Sequence, residues 1–123
     1  MKTILVVEND PALRMLTSQL LELEGYRVRQ AENGKLALES IAADPPDLVL
    51  CDLLMPELNG HGVLQGLRDD PATAAIPLVF LTASAAPSER ETCLNGGAAG
   101  FLIKPFRHAE LLDLIRDTLE APR

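Results

Sequence analysis

At 123 residues the chain fits one domain with a core of its own. Hydrophobic residues make up 47% and charged residues 24%, a globular composition rather than a disordered one. A net charge of −7, from 11 Lys+Arg against 18 Asp+Glu, argues against direct nucleic-acid binding, because phosphates repel an acidic surface.

The apolar run at 3–7 predicts a first strand, ended by Glu8-Asn9-Asp10. It is too short for a signal-peptide core, and no run approaches membrane-spanning length. Asp10 then suits a helix cap with Pro11 at the first position, and Leu13, Leu16, Leu20 and Leu23 follow at helical spacing. A more polar strand is expected at 26–30. Asn33-Gly34 closes it, and Leu38, Ile41 and Ala42 mark a second helix that ends by Pro45-Pro46.

The near-continuous apolar run at 47–51 reads as a strand covered on both faces, and it delivers Asp52. Val63, Leu64 and Leu67 mark a third helix. A fourth strand at 76–81 leads into Thr82-Ala83. A weaker helix at 88–96 follows, with Pro87 and Ser88 as its start signal and Gly96-Gly97 as its stop. The fifth strand at 100–103 runs into Lys104-Pro105, and Leu111, Leu112, Ile115 and Leu119 complete the last helix. Domain 1–123 is expected to be a single unit.

Five β-α units with short connections imply parallel strands joined by right-handed crossovers. Ligands bind such sheets outside the carboxyl ends of the strands. Glu8, Asn9, Asp10, Asp52, Thr82 and Lys104 all fall at that edge. A carboxylate can attack phosphorus, clustered oxygens can hold Mg²⁺, and Lys and Thr can bind phosphoryl oxygens. Each has a plainer reading. A strand-end Asp ordinarily bonds turn amides, a strand-end Lys is solvated, and Thr82 is a good strand former. Asp10 is read mainly as a cap. His61 and His108 are read as surface residues without ligand spacing, Cys93 as helix packing, and Arg14, Arg68 and Arg90 as solvated faces. Cys51 and Cys93 form no disulfide framework, so a reducing cytoplasm is the expected location.

Taken together, four motifs carry a resemblance. They are Ile4-Leu5-Val6-Val7-Glu8-Asn9-Asp10-Pro11, then Pro46 to Pro56 around Asp52 with Gly60 following, then Pro77 to Ala83 around Thr82, and Gly100-Phe101-Leu102-Ile103-Lys104-Pro105-Phe106. The chain resembles the receiver domain of bacterial two-component response regulators over nearly its whole length, with a single-domain chemotaxis receiver as the nearest pattern. The resemblance implies an α/β fold, a doubly wound five-stranded parallel sheet in flavodoxin-like order 2-1-3-4-5 with five helices. It implies Asp52 as phosphoacceptor and Glu8, Asn9, Asp52 and the Leu54 carbonyl as Mg²⁺ (or Mn²⁺) ligands. Thr82 and Phe101 would be the switch pair, although Phe101 reads equally well as core packing. Lys104 would bind the phosphoryl group, with a cis bond into Pro105.

The phosphoryl donor would be a histidine kinase or phosphotransfer protein. The receiver would assist its own phosphorylation and hydrolysis without otherwise being an enzyme. The output would be a downstream protein or separate output domain, met through the surface around 87–97, Phe101 and 106–120, by a monomer or weak dimer. Asn9 departs from the usual Asp, which predicts weaker metal binding. Leu54 and Ser84 occupy the positions that overhang the acyl phosphate, and an apolar Leu54 predicts slow self-hydrolysis. The competing expectation is a phosphorylation-independent docking module weakened in metal binding by Asn9. A nucleotide- or flavin-binding enzyme is disfavoured, because strand one runs into Glu8-Asn9-Asp10-Pro11 rather than a Gly-rich loop.

Overall fold

In a computed structural model, which describes residues 1–55, 58–83 and 87–120, strands and helices alternate without exception. The strands are β1 (Thr3–Val7), β2 (Arg27–Ala31), β3 (Leu48–Asp52), β4 (Leu78–Thr82) and β5 (Gly100–Ile103). The helices are α1 (Pro11–Leu23), α2 (Gly34–Ala43), α3 (Gly60–Asp69), α4 (Pro87–Asn95) and α5 (His108–Glu120). All strand pairs are parallel, in the order β2-β1-β3-β4-β5. The expected fold and order are therefore observed.

The two-residue period of a strand sorts its side chains between two cores. Ile4 and Val6 of β1, Leu48 and Leu50 of β3, and Val79 and Leu81 of β4 pack with Leu21 of α1 and with Leu111 and Ile115 of α5. The alternate residues Leu5, Val7, Val49, Cys51, Leu78 and Phe80 pack with α2, α3 and Cys93 of α4. Each fully buried Leu, Ile or Val contributes about 1.5–3 kcal/mol relative to exposure. With both faces covered, β3 and β4 have no exposed residue, which explains their unbroken apolar sequence.

Boundaries shift slightly from those expected. β3 runs one residue further than the apolar pattern, because Asp52 still pairs with Leu81 in the sheet ladder. β4 begins at Leu78 rather than 76, because the Ile76 amide bonds back to the Thr73 carbonyl at 3.0 Å in a turn. α4 ends as expected: Gly97 adopts φ +98°, a conformation glycine reaches without strain. Gly60, at the start of α3, answers a different need. A Cβ there would lie 2.7 Å from the Phe80 ring and 2.9 Å from the Asp52 carbonyl oxygen. The bare backbone lets α3 begin directly against the end of β3. Pro56 and Ser84, quoted in the motifs above, lie outside the described residues.

Candidate functional site

Asp52 closes β3 and Thr82 closes β4, while Glu8 and Lys104 immediately follow β1 and β5. The order β2-β1-β3-β4-β5 puts β3 between β1 and β4, so these four ends are neighbours along one edge. Short hydrogen bonds hold the edge in register. The Glu8 amide donates to the Ala31 carbonyl at 3.1 Å, and the Lys104 amide donates to the Thr82 carbonyl at 2.7 Å. The Lys104–Pro105 peptide is cis, as the resemblance implied.

At the centre, Glu8 is 5% exposed and Asp52 8%. Lys104 Nζ stands between them, 2.9 Å from Glu8 Oε1 and 3.5 Å from Asp52 Oδ2. Glu8 Oε2 also accepts from the Asp10 amide at 3.2 Å. Two carboxyls and one ammonium leave the cluster short of positive charge. The consequence falls on Asp52, whose carboxyl is pushed up to about 6. Burial is the main cause, followed by a hydrogen bond to Glu8, which needs a proton between the two carboxyls, and by the Glu8 charge. Lys104 and the Leu54 backbone amide oppose the rise.

Thr82 is fully buried, deeper than an ordinary strand-end hydroxyl. Phe101 is half-buried and packs against the core containing Phe80 and Cys93, so its packing reading stands. Asn9 is exposed. Leu54 is 65% exposed beside the acceptor. Asp10 caps α1, accepting from the Ala12 and Leu13 amides at 3.0 and 3.3 Å through one oxygen. That engagement matches its reading as a cap.

Three residues differ from expectation. Arg14 is no solvated face: its guanidinium donates to the Glu8 carbonyl at 2.8 Å and to Gln30 Oε1 at 3.2 Å, bracing the peptide that carries Glu8. Arg68 reaches the carbonyls of Ala74, Ile76 and Gly97 at 3.0, 2.8 and 2.8 Å, tying α3 to the entry of β4 and the end of α4. Arg90 is exposed, as expected. His61 is partly covered, with Nε2 3.0 Å from Glu89 Oε1 and its ring 5.8 Å from that of Phe80. These contacts bridge residues 6 to 29 positions apart, beyond the reach of local periodicity. His108 remains exposed.

An apolar groove of about 470 Å³ opens beside the site, lined by Leu13, Leu16 and Leu20 of α1 and by Lys104, Pro105 and Phe106. The carboxylates of Glu8 and Asp52, with the amide oxygen of Asn9, which follows Glu8, and the carbonyl of Leu54, two positions beyond Asp52, could together supply an all-oxygen donor set. Such donors suit Mg²⁺ or Mn²⁺. Burial, and after it the neighbouring Glu8 carboxyl, raises Asp52, and a divalent cation would favour its charged form against both, which supports the fit. Among the described residues, no helix is long and apolar enough to cross a membrane.

Comparison with known proteins agrees with this geometry. The chain is similar to the DNA-binding dual master transcriptional regulator RpaA of Synechocystis, at 38% identity over 97% of this chain and 49% of that protein. It therefore spans about half the length of the curated relatives it matches. A response regulator from Chloroflexus aurantiacus superposes with TM-score 0.93 at 32% identity, covering 98% of both chains. The receiver domain of sensor histidine kinase PA1611 from Pseudomonas aeruginosa, solved with a magnesium ion coordinated in its active-site cleft, has TM-score 0.90 at 31% identity, again over 98% of both. The family model described as response regulator receiver domain matches residues 4–116. With the sheet order, the four strand ends and these likenesses in agreement, the chain belongs to the response regulator receiver domain family.

Proposed function

We propose that this receiver accepts a phosphoryl group on Asp52, with Mg²⁺, from a histidine kinase or phosphotransfer protein. The convergence of Asp52, Glu8 and Lys104 within 3.5 Å contacts carries the proposal. An Asp52 carboxylate oxygen attacks phosphorus and forms an O–P bond. The donor's P–N bond breaks, and the imidazole nitrogen leaves with the electron pair. Glu8, Asn9, Asp52 and the Leu54 carbonyl would hold the metal, which supplies charge neutralisation for the approaching anions. Lys104, already 3.5 Å from Asp52, needs only a small swing to bond a phosphoryl oxygen.

Thr82 ends the neighbouring strand, where its hydroxyl can bond a phosphoryl oxygen. Its repositioning, with Phe101 following, would bias a two-state equilibrium in the surface formed by α4, β5 and α5. A downstream protein or output domain would read that surface. RpaA's description as DNA-binding supports an output domain as one such reader. The groove between α1 and Phe106 supports docking of an amphipathic helix from the phosphodonor, because Lys104 lines it and the transferred group would arrive at Asp52. A cytoplasmic site of action suits that chemistry.

Incubation with Mg²⁺ and acetyl phosphate, followed by intact mass measurement, tests the reading. A single phosphoryl adduct that disappears in Asp52→Asn is expected. No adduct at high Mg²⁺ would replace this reading with phosphorylation-independent docking.

A further inference from the structure

A second cluster of donors lies away from the acceptor edge. His61 sits in the first turn of α3, and Glu89 and Cys93 are one turn apart on α4, where an i, i+4 pair shares a face. The imidazole nitrogen, carboxylate oxygen and thiol sulfur all lie within 4.8 Å of one another. His61 and Glu89 are already 3.0 Å apart. Both are about one-third exposed, whereas Cys93 is fully buried beneath them. The arrangement thus has a buried soft anchor and an open side through which an ion can enter.

From this geometry we propose that His61, Glu89 and Cys93 form a binding site for a Zn²⁺-class divalent cation that ties α4 to the start of α3. One N, one O and one S donor match the preferences of Zn²⁺ and differ from the all-oxygen set at Asp52. Tetrahedral zinc with these donors needs ligand separations of about 3.3–3.6 Å. The three donors already lie within 4.8 Å of one another, so only small side-chain movements would be needed to reach that spacing. A solvent molecule would take the fourth position on the exposed side. Charge also balances: neutral imidazole, carboxylate and thiolate together carry two negative charges, offset by the cation. Without metal, an interhelical hydrogen bond accounts for His61 and Glu89 and core packing for Cys93; a bound cation would use all three donors together.

Binding replaces the S–H bond of Cys93 with a metal–sulfur bond and releases the proton to solvent. Burial and the Glu89 carboxylate push the Cys93 thiol up, so the proton is present until metal arrives. The site is independent of phosphoryl chemistry. Metal there would restrain α4 whatever the state of Asp52.

Titration of the whole chain with Co²⁺ in excess Mg²⁺, under non-chelating reductant, tests the proposal. One Co²⁺ per chain should bind with a thiolate-to-cobalt charge-transfer band, release about one proton, and be displaced by Zn²⁺. Cys93→Ser should abolish the band, while Cys51→Ala should leave it. His61→Gln and Glu89→Gln change partly exposed side chains. Each should weaken binding at least about tenfold, since even outer-shell partners of a metal contribute that much. The proposal is overturned if the wild-type chain shows no such band. It is equally overturned if the band survives in Cys93→Ser, or if neither His61→Gln nor Glu89→Gln weakens binding.

Discussion

Lys104 Nζ lies closer to Glu8 Oε1, at 2.9 Å, than to the proposed acceptor Asp52, at 3.5 Å. The lysine is the resident cation of an acidic pair and would compete with any metal for the same carboxylates. Lys104→Ala should therefore lower stability in metal-free buffer by about 1–3 kcal/mol, less than for a fully buried pair because Lys104 keeps some water contact. The same change should tighten Mg²⁺ binding and slow phosphorylation. Urea unfolding with and without Mg²⁺ checks the first two together. A variant whose stability matches wild type without metal would contradict the resident-cation role.

The raised carboxyl of Asp52 makes stability depend on pH. Its folded value of about 6 lies above the unfolded value near 4, so the native state holds a proton that the unfolded state has released. That contribution is fully present below about pH 4 and is lost as pH rises through about 6. Asp52→Asn should consequently be more stable than wild type at pH 7 without metal, by about 1–2 kcal/mol after screening. The difference should shrink toward pH 4, and added Mg²⁺ should reduce it at pH 7. Thermal unfolding at several pH values decides the matter, and a pH-independent difference would sink the argument.

Asn9 stands beside Glu8, exposed and uncharged. Restoring a carboxylate adds a unit charge worth about 4 kcal/mol at 4 Å and an effective dielectric of about 20, most of which hydration absorbs. Asn9→Asp should tighten Mg²⁺ about tenfold, a change of about 1.4 kcal/mol. Calorimetric titration measures it directly. Equal affinities would show that Asn9 is no handicap.

Leu54 lies two positions beyond Asp52 and is 65% exposed; the proposed role of its apolar side chain is to limit water's approach to an acyl phosphate. Replacing it with Asn should shorten the phosphoryl half-life, because an amide can orient the attacking water. The loss of adduct over time after donor removal is the measurement, and an unchanged half-life would assign the barrier elsewhere.

Gly60 links fold and site mechanically. A methyl group there meets the Phe80 ring at 2.7 Å and the backbone of Asp52 and Leu53 at 2.9 Å each. Two of these neighbours are main chain and cannot rotate away. Gly60→Ala should cost about 1–3 kcal/mol, as overpacking generally does. It should also slow phosphorylation by displacing the end of β3. A urea midpoint equal to wild type would contradict the close approach.

Periodicity and punctuation were enough to specify the β-α alternation, because burial on two faces forces β3 and β4 to be apolar throughout and amphipathic helices to repeat near 3.6 residues. They also marked Glu8, Asp52, Thr82 and Lys104 as polar residues ending apolar strands, while the roles expected of them came from the family resemblance. Tertiary structure decided what those residues touch. Lys104 meets Glu8 across 96 positions, and no local pattern says that it lies nearer Glu8 than Asp52. Arg14 and Arg68 look like surface charges until their carbonyl acceptors are folded beneath them. His61 lacks ligand spacing along its own helix because its partners lie on α4. Local sequence carries the period of an element, whereas a contact between elements depends on how their faces are rotated and packed.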